Sequence, residues 1–186
     1  MKDRSTMKNV LLGVTGSIAA YKACELVRLF VKHGNIDVHV IMTEAATEFV
    51  TPLTFQTLSR NPVSIDMFDS PQEWTPGHIS LAERANILII APCTANVIAK
   101  TALGLSDNML NSTALATKAP MLIAPAMNTG MLDNPATQAN MKVLCARGVS
   151  FVESDSGDLA CGTTGRGRMA QPHIIYNKAL EILEST

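Results

Sequence analysis

One thiol, Cys161, lies in a stretch that a hydrophobic core would not use. Gly157, Gly162, Gly165 and Gly167 surround it, Arg166 and Arg168 follow, and no apolar periodicity runs through the segment. A core cysteine belongs to a periodic apolar run. A thiol on a Gly-rich loop is better placed for chemistry, because loops on a rigid scaffold carry a disproportionate share of function. Of the other polar groups, His78 follows Pro76-Gly77 and opens a predicted helix, where in isolation it reads as an exposed helix-start residue. His33, His39 and His173 show no partner pattern and read as surface or strand positions. Cys24, Cys93, Cys145 and Cys161 form no C-x-x-C pair, and no His/Cys/Asp cluster has metal-ligand spacing, so no metal is expected.

These groups need a scaffold, and the chain alternates in a way that supplies one. Short β-branched runs predict strands over Asn9–Val14, Asp37–Met42, Ile87–Ala91, Met121–Ala124 and Val149–Val152. The third is apolar throughout, as a strand covered on both faces should be. Helices are predicted over Ser17–Lys32, Ala95–Leu103, Asn108–Thr117, Pro135–Arg147 and Ile174–Glu184. In the first, Ala19, Ala20, Ala23, Leu26, Val27 and Phe30 share one stripe. Strands alternating with helices predict an α/β fold: a single-domain, doubly wound, mainly parallel sheet with helices on both faces. Residues 1–7 read as a polar tail and 8–186 as the domain.

In such sheets ligands bind where strands end and helices begin. After the first predicted strand, Gly16 allows close backbone approach and Ser17 reads as a helix N-cap, a place that favours anions such as phosphate. A capped turn without a ligand is the alternative. The segment is neither G-x-G-x-x-G nor a Walker loop. The second strand ends at Thr43 rather than at an acid, which disfavours NAD, and Thr43 can cap the next helix or offer its hydroxyl to a ligand. After the third strand Pro92 is expected to end the strand, Thr94 and Asn96 stand at a helix start, and Ala95 leaves room for something flat. After the fourth comes Ala126-Met127-Asn128, where Asn128 can bind a carboxylate or an amide, or simply shape a turn. Small, uncharged, hydrogen-bonding residues at every junction suit a neutral planar ligand with a phosphate tail, and flavin mononucleotide (FMN) is one.

Composition excludes other classes. Net charge is −1 and aromatic residues are 4%, so neither the basic excess nor the stacking platforms of a nucleic-acid binder are present. No apolar run approaches the ~18 residues of a membrane span. The run after Lys8 faintly imitates a secretory signal, but Gly13 and Gly16 break it and a strand explains it better. Scattered cysteines in a domain of this size read as reduced thiols of a cytoplasmic protein.

Four segments together resemble the flavin-dependent cysteine decarboxylases. They are Gly16-Ser17-Ile18-Ala19-Ala20, His78-Ile79-Ser80-Leu81, Pro125-Ala126-Met127-Asn128-Thr129-Gly130-Met131, and Ala160-Cys161-Gly162 through Gly167-Arg168-Met169. The likeness runs from about Lys8 to the last helix. The Pro-Ala-Met-Asn and cysteine segments are specific as a pair, whereas the Gly-Ser turn alone is not. The resemblance implies a Rossmann-like fold with FMN against Gly16, Ser17, Ile18, Thr43, Thr94, Ala95, Asn96, Val97 and Ala126. It also implies a catalytic His78, substrate contacts at Asn128, Met131 and Ala160, and Cys161 as the residue that finishes the reaction. A small-molecule substrate, 4′-phosphopantothenoylcysteine, and a trimer-based homo-oligomer with flavin at subunit contacts are implied too. Two positions depart from the family pattern: a methionine–tryptophan pair is here Met131-Leu132, and a usual glutamate is here Gln171.

The implied chemistry explains the residue types. Decarboxylating a cysteine amide leaves a carbanion with no electron sink; oxidising the thiol to a thioaldehyde first creates one. Loss of CO2 then gives an enethiol, whose reduction needs a proton. A thiol near its ordinary pKa of ~8.5 is mostly protonated at neutral pH, so Cys161 on a Gly-rich flap can donate it and close over the substrate. His78 would contact the substrate carboxyl or assist proton transfer. The chain ends soon after this portion, so a single-activity form without a fused ligase is expected. A peptidyl-cysteine decarboxylase need not reduce its product and would not be expected to keep the Cys161 flap. A flavin prenyltransferase would lack the His78 and Cys161 constellation. A non-catalytic flavoprotein would have lost a catalytic residue or gained acidic extensions.

Overall fold

The computed structural model describes residues 7–68, 76–158, 162 and 164–185. Its frame is a six-stranded sheet of β1 (Lys8–Val14), β2 (Ile36–Met42), β3 (Val63–Ser64), β4 (Ile87–Cys93), β5 (Met121–Pro125) and β6 (Ser150–Phe151). Spatial order is β3-β2-β1-β4-β5-β6 and every pairing is parallel. The chain therefore builds outward from β1 to β3, then returns across β1 to start the other half at β4. The carboxyl ends of β1 and β4 lie side by side at this reversal, where the crossovers diverge and leave a crevice.

Helices cover both faces, and alternation along the central strands decides which residues they meet. Val10, Leu12 and Val14 of β1 face one core, built with α1 (Ala20–His33), α3 (Pro52–Ser59) and α9 (Pro172–Ser185). Leu11 of β1, with Leu88 and Ile90 of β4, faces the other core. There α4 (Gly77–Arg84), α5 (Ala95–Leu103), α6 (Met109–Ala116) and α8 (Pro135–Ala146) pack. Every residue of β4 is buried, as its unbroken apolar run requires. On α1 the buried residues Ala20, Ala23, Leu26, Val27 and Phe30 are the stripe expected from the sequence. Each large side chain among them contributes roughly 1.5–3 kcal/mol. The helix stops at Gly34, whose φ of 88° is the left-handed cap that glycine takes at least cost.

Three local readings change. First, α1 does not begin at Ser17. A turn intervenes, with Ser17 N–H on Thr15 O at 2.8 Å and Ala20 N–H on Ser17 O at 2.9 Å. The Ser17 hydroxyl accepts the Ala19 N–H at 3.3 Å instead of capping a helix. Second, Pro92 does not end β4. The Ala91–Pro92 peptide is cis, and a register shift between Ile90 and Cys93 absorbs the residue that cannot donate to the ladder. Third, the Gly-rich segment contains an antiparallel hairpin of β7 (Asp155–Asp158) and β8 (Thr164–Arg168). The short α2 (Glu44–Thr47) and α7 (Thr129–Leu132), together with α3 and β3, complete the described elements.

Candidate active site

The crevice at the strand reversal is held by a residue that sequence reasoning missed. Thr15 directly follows β1 and is fully buried. Its Oγ1 donates to Pro92 O at 2.8 Å and accepts the Thr94 N–H at 3.1 Å. One hydroxyl thus ties the ends of β1 and β4 together with both its donor and its acceptor used. Its partners are 77 and 79 residues away. A polar residue at a strand's carboxyl end, just before the Gly-Ser turn, was the available signal.

Neighbouring junctions are fixed in the same way. Thr94 caps α5 by accepting the Val97 N–H at 3.4 Å. Ala126 N–H meets Cys93 O at 2.9 Å, and Thr43 N–H meets Val14 O at 3.0 Å. Gly16 lies so close to the start of α2 that an added Cβ would come 2.6 Å from the Ala45 methyl. Burial pushes the Cys93 thiol far above its ordinary pKa, so this cysteine stays protonated beside the crevice and is no nucleophile.

The far wall is built by Asn128 and β8. Asn128 caps α7, its Oδ1 accepting the Gly130 N–H at 2.8 Å, which fixes the orientation of the amide. β8 docks against this turn through Met127 N–H on Gly167 O at 3.0 Å and Thr129 Oγ1 on Arg166 O at 2.6 Å. Gly167 has φ 122°, and a Cβ there would collide with Met127 O, so only glycine permits this approach. Gln171 takes up the role open to a neutral side chain: its Nε2 donates to Asp155 Oδ2 at 2.9 Å, where a glutamate would set two carboxylates together. Leu132 of the departing Met-Leu pair is buried, whereas Met131 is exposed.

Between the walls lies a cavity of about 440 Å3, within the range of small-molecule and cofactor sites. Of the expected cofactor residues, Gly16, Ser17, Ile18, Thr94 and Ala126 line it; of the expected substrate residues, Asn128 and Met131 do. Thr43, Ala95, Asn96 and Val97 are not in its lining. Val97 is buried in the core, and Asn96 is exposed. Thr43 Oγ1 is nonetheless buried without a partner among the described residues, as a hydroxyl awaiting a ligand would be. Lys22, Asp158 and Arg168 also line the cavity and were not singled out from the sequence.

His78 stands apart. It is the second residue of α4, on the α6 side of the sheet, and is not in the cavity lining. Its Nδ1 is buried and unpartnered among the described residues. Ala160 and Cys161 lie outside the described residues. The residues on either side of them, Asp158 and Thr164, form the last pair of the hairpin ladder. Among the described residues no His/Cys/Asp/Glu cluster could hold a metal, and no helix is long and apolar enough to cross a membrane.

The chain is similar to known proteins over nearly its whole length. Residues 1–184 match the family described as Flavoprotein. The chain is 49% identical over 172 residues to the coenzyme A biosynthesis bifunctional protein CoaBC of Bacillus subtilis, covering 92% of this chain but 42% of that relative. Among solved structures, it is similar to a cysteine-to-serine variant of PPC decarboxylase complexed with pantothenoylaminoethenethiol. That likeness has a TM-score of 0.86 at 32% identity, covering 96% of this chain and 99% of the other. The FMN binding protein AtHal3 matches with a TM-score of 0.83 at 33% identity, over 96% and 98% of the two chains.

Proposed function

The chain belongs to the Flavoprotein family, and from that premise we propose that it is an FMN-dependent carboxy-lyase converting 4′-phosphopantothenoylcysteine to 4′-phosphopantetheine in coenzyme A biosynthesis. The observation that carries this reading is a shared cavity: the ends of β1, β4 and β5, the Asn128 cap and the Gly-rich hairpin all line it. A flat cofactor needs the first, and a small carboxylate substrate held over it needs the other two. The likeness to PPC decarboxylase over nearly all of both chains supports the substrate class, and the likeness to an FMN binding protein supports the cofactor.

Gly16, Ser17 and Ile18, Thr94 to Val97, Ala126 and the unpaired Thr43 hydroxyl would hold FMN. Bound there, FMN supplies the two-electron oxidant for the substrate thiol and later the reductant for the enethiol. The chain's own residues do the rest. Asn128, locked by its own cap bond, orients the substrate carboxylate so that the breaking C–C bond lies against the thiocarbonyl that receives its electron pair. Met131 and Ala160 contact the substrate. His78 contacts the carboxyl or carries a proton. Cys161, protonated at neutral pH as an ordinary thiol is, gives the last proton to carbon and lets the saturated product form.

A trimer-based homo-oligomer with the site shared between copies accounts for two further features. His78 lies outside the cavity of a single chain, and the exposed Ile18, Tyr21 and Met131 border that cavity. The unpaired thiols Cys24, Cys93 and Cys145 accord with a cytoplasmic location.

The test is direct. Purified protein should be yellow with an oxidised-flavin spectrum. Mass spectrometry should find 4′-phosphopantetheine from phosphopantothenoylcysteine and no decarboxylated product from a Cys-terminal peptide. Turnover of the peptide alone would assign the chain to peptide substrates, and a folded protein unable to bind FMN would end the flavin reading.

A further inference from the structure

The cavity wall carries two cations that nothing above employs. Lys22 lies on α1, one turn beyond Ile18, and Arg168 ends β8. Both line the cavity, both are half-buried, and among the described residues neither side chain makes a hydrogen bond or an ion pair. Leaving two partly desolvated cations without partners costs stability, so a fold that keeps them there has a use for them.

Their surroundings sharpen that use. The Arg168 side chain crosses Gly157 on the paired strand, where an added Cβ would strike the guanidinium, so glycine leaves the space through which it reaches the cavity. Burial lowers the Lys22 pKa, the neighbouring Arg168 lowers it further, and Asp155 and Glu25 act in the opposite sense. Of these acids, Asp155 is engaged by Gln171. Asp158, the one carboxylate in the cavity lining, accepts the Thr164 hydroxyl at 2.8 Å. The charged residues of the wall are therefore Lys22 and Arg168 against Asp158, a net positive wall. Lys22 and Tyr21 also line an adjoining groove along α1 and α3, so Lys22 stands where the cavity opens outward.

We propose that Lys22 and Arg168 form a clamp for the phosphate monoester at the far end of the substrate and so set the preference for phosphorylated over unphosphorylated substrate. This rests on the decarboxylase reading above. A phosphate monoester suits the pair because its oxygens accept several charge-assisted bonds, bidentate from the guanidinium and point-like from the ammonium. A flavin's phosphate has the same chemistry. The start of α5, an N-terminus of a nine-residue helix at the crevice, offers it a separate place. The mouth position of Lys22 fits the trailing end of an elongated substrate.

The experiment uses the flavin-loaded protein and compares phosphopantothenoylcysteine with pantothenoylcysteine. The unsubstituted protein should show a kcat/KM ratio well above one in favour of the phosphorylated compound. Lys22→Gln and Arg168→Gln should each cut that ratio about tenfold or more, mainly through KM. Lys22→Arg should retain most of it, which a merely structural role would not predict. Calorimetric titration gives an independent readout: 4′-phosphopantetheine should bind more tightly than pantetheine, and the two glutamine variants should erase the difference. An undiminished ratio in both variants overturns the assignment. So does a loss of bound flavin with the ratio intact, which would give the cations to the cofactor's phosphate. Release of CO2 from neither compound by the unsubstituted protein would instead remove the decarboxylase reading, and this assignment with it.

Discussion

The two walls of the cavity are built on different principles. The switch-point wall is assembled from the ends of parallel strands buried on both faces, with Thr15 joined to Pro92 and Thr94, and Ala126 to Cys93, by bonds between distant segments. The hairpin wall is a two-stranded ribbon outside the main sheet, rich in glycine and with Gly167 its one buried residue, and it leans on the Met127–Thr129 turn. One is continuous with the core, and the other is a local appendage. A cofactor that stays bound through turnover suits the first. A cover over a substrate that must enter and leave suits the second, because elements of low local stability open without unfolding the domain.

If that contrast holds, damage to each wall should have a different signature. The largest effect is expected from Thr15→Val. The methyl restores volume, but Pro92 O and the N–H of the half-buried Thr94 both lose their partner, at about 1–3 kcal/mol each. We expect a loss of roughly 2–4 kcal/mol in denaturant unfolding, accompanied by loss of bound flavin. Unchanged stability would show that the crevice does not depend on that hydroxyl.

Gly167→Ala should do the reverse. Its Cβ meets Met127 O, and the positive φ is unfavourable for alanine. Turnover should fall on the order of 10- to 100-fold through misplacement of the substrate wall, while flavin content stays at the unsubstituted level. Equal loss of flavin and turnover would mean that the two walls are not separable.

A smaller effect separates the walls by pH. Cys93 is a buried acid whose pKa in the folded protein is raised by burial above the ordinary thiol value of ~8.5. The unfolded thiol therefore ionises first, so folding holds its full stability below about pH 8.5 and loses it as pH rises further. At pH 10 the loss relative to Cys93→Ala should be about 1.4 kcal/mol per pH unit above the unfolded pKa. Parallel stability profiles for the two proteins from pH 7 to 10 would contradict this. Cys24, also raised by burial, is present in both proteins and cancels.

The same contrast decides what could be read from the sequence. β1, β4 and α1 were legible because burial writes itself locally, as an unbroken apolar run or a 3.6-residue stripe. The junction residues were legible by type, since a parallel sheet forces its ligand toward strand ends. Thr15 was not, because its two bonds reach across to β4. The passage of β4 through Pro92 was not, because the register shift that tolerates proline belongs to the pairing with β5. The hairpin was hidden for a related reason: Thr-Gly-Arg-Gly-Arg has no apolar residue to mark a buried face, and the turn at Asn128 on which it docks lies 37 residues earlier. Lys22 was masked by lying on α1 next to the apolar stripe, and only the position of Arg168 gives it a meaning.

The most direct test of the account concerns Cys161. In flavin-loaded Cys161→Ser, phosphopantothenoylcysteine should still lose CO2, because in the proposed reaction oxidation and decarboxylation do not use this thiol. The product should remain the oxidised enethiol, lighter than 4′-phosphopantetheine by H2, and mass spectrometry reads that difference directly. A normal yield of 4′-phosphopantetheine from the variant would contradict the account and remove Cys161 from the chemistry.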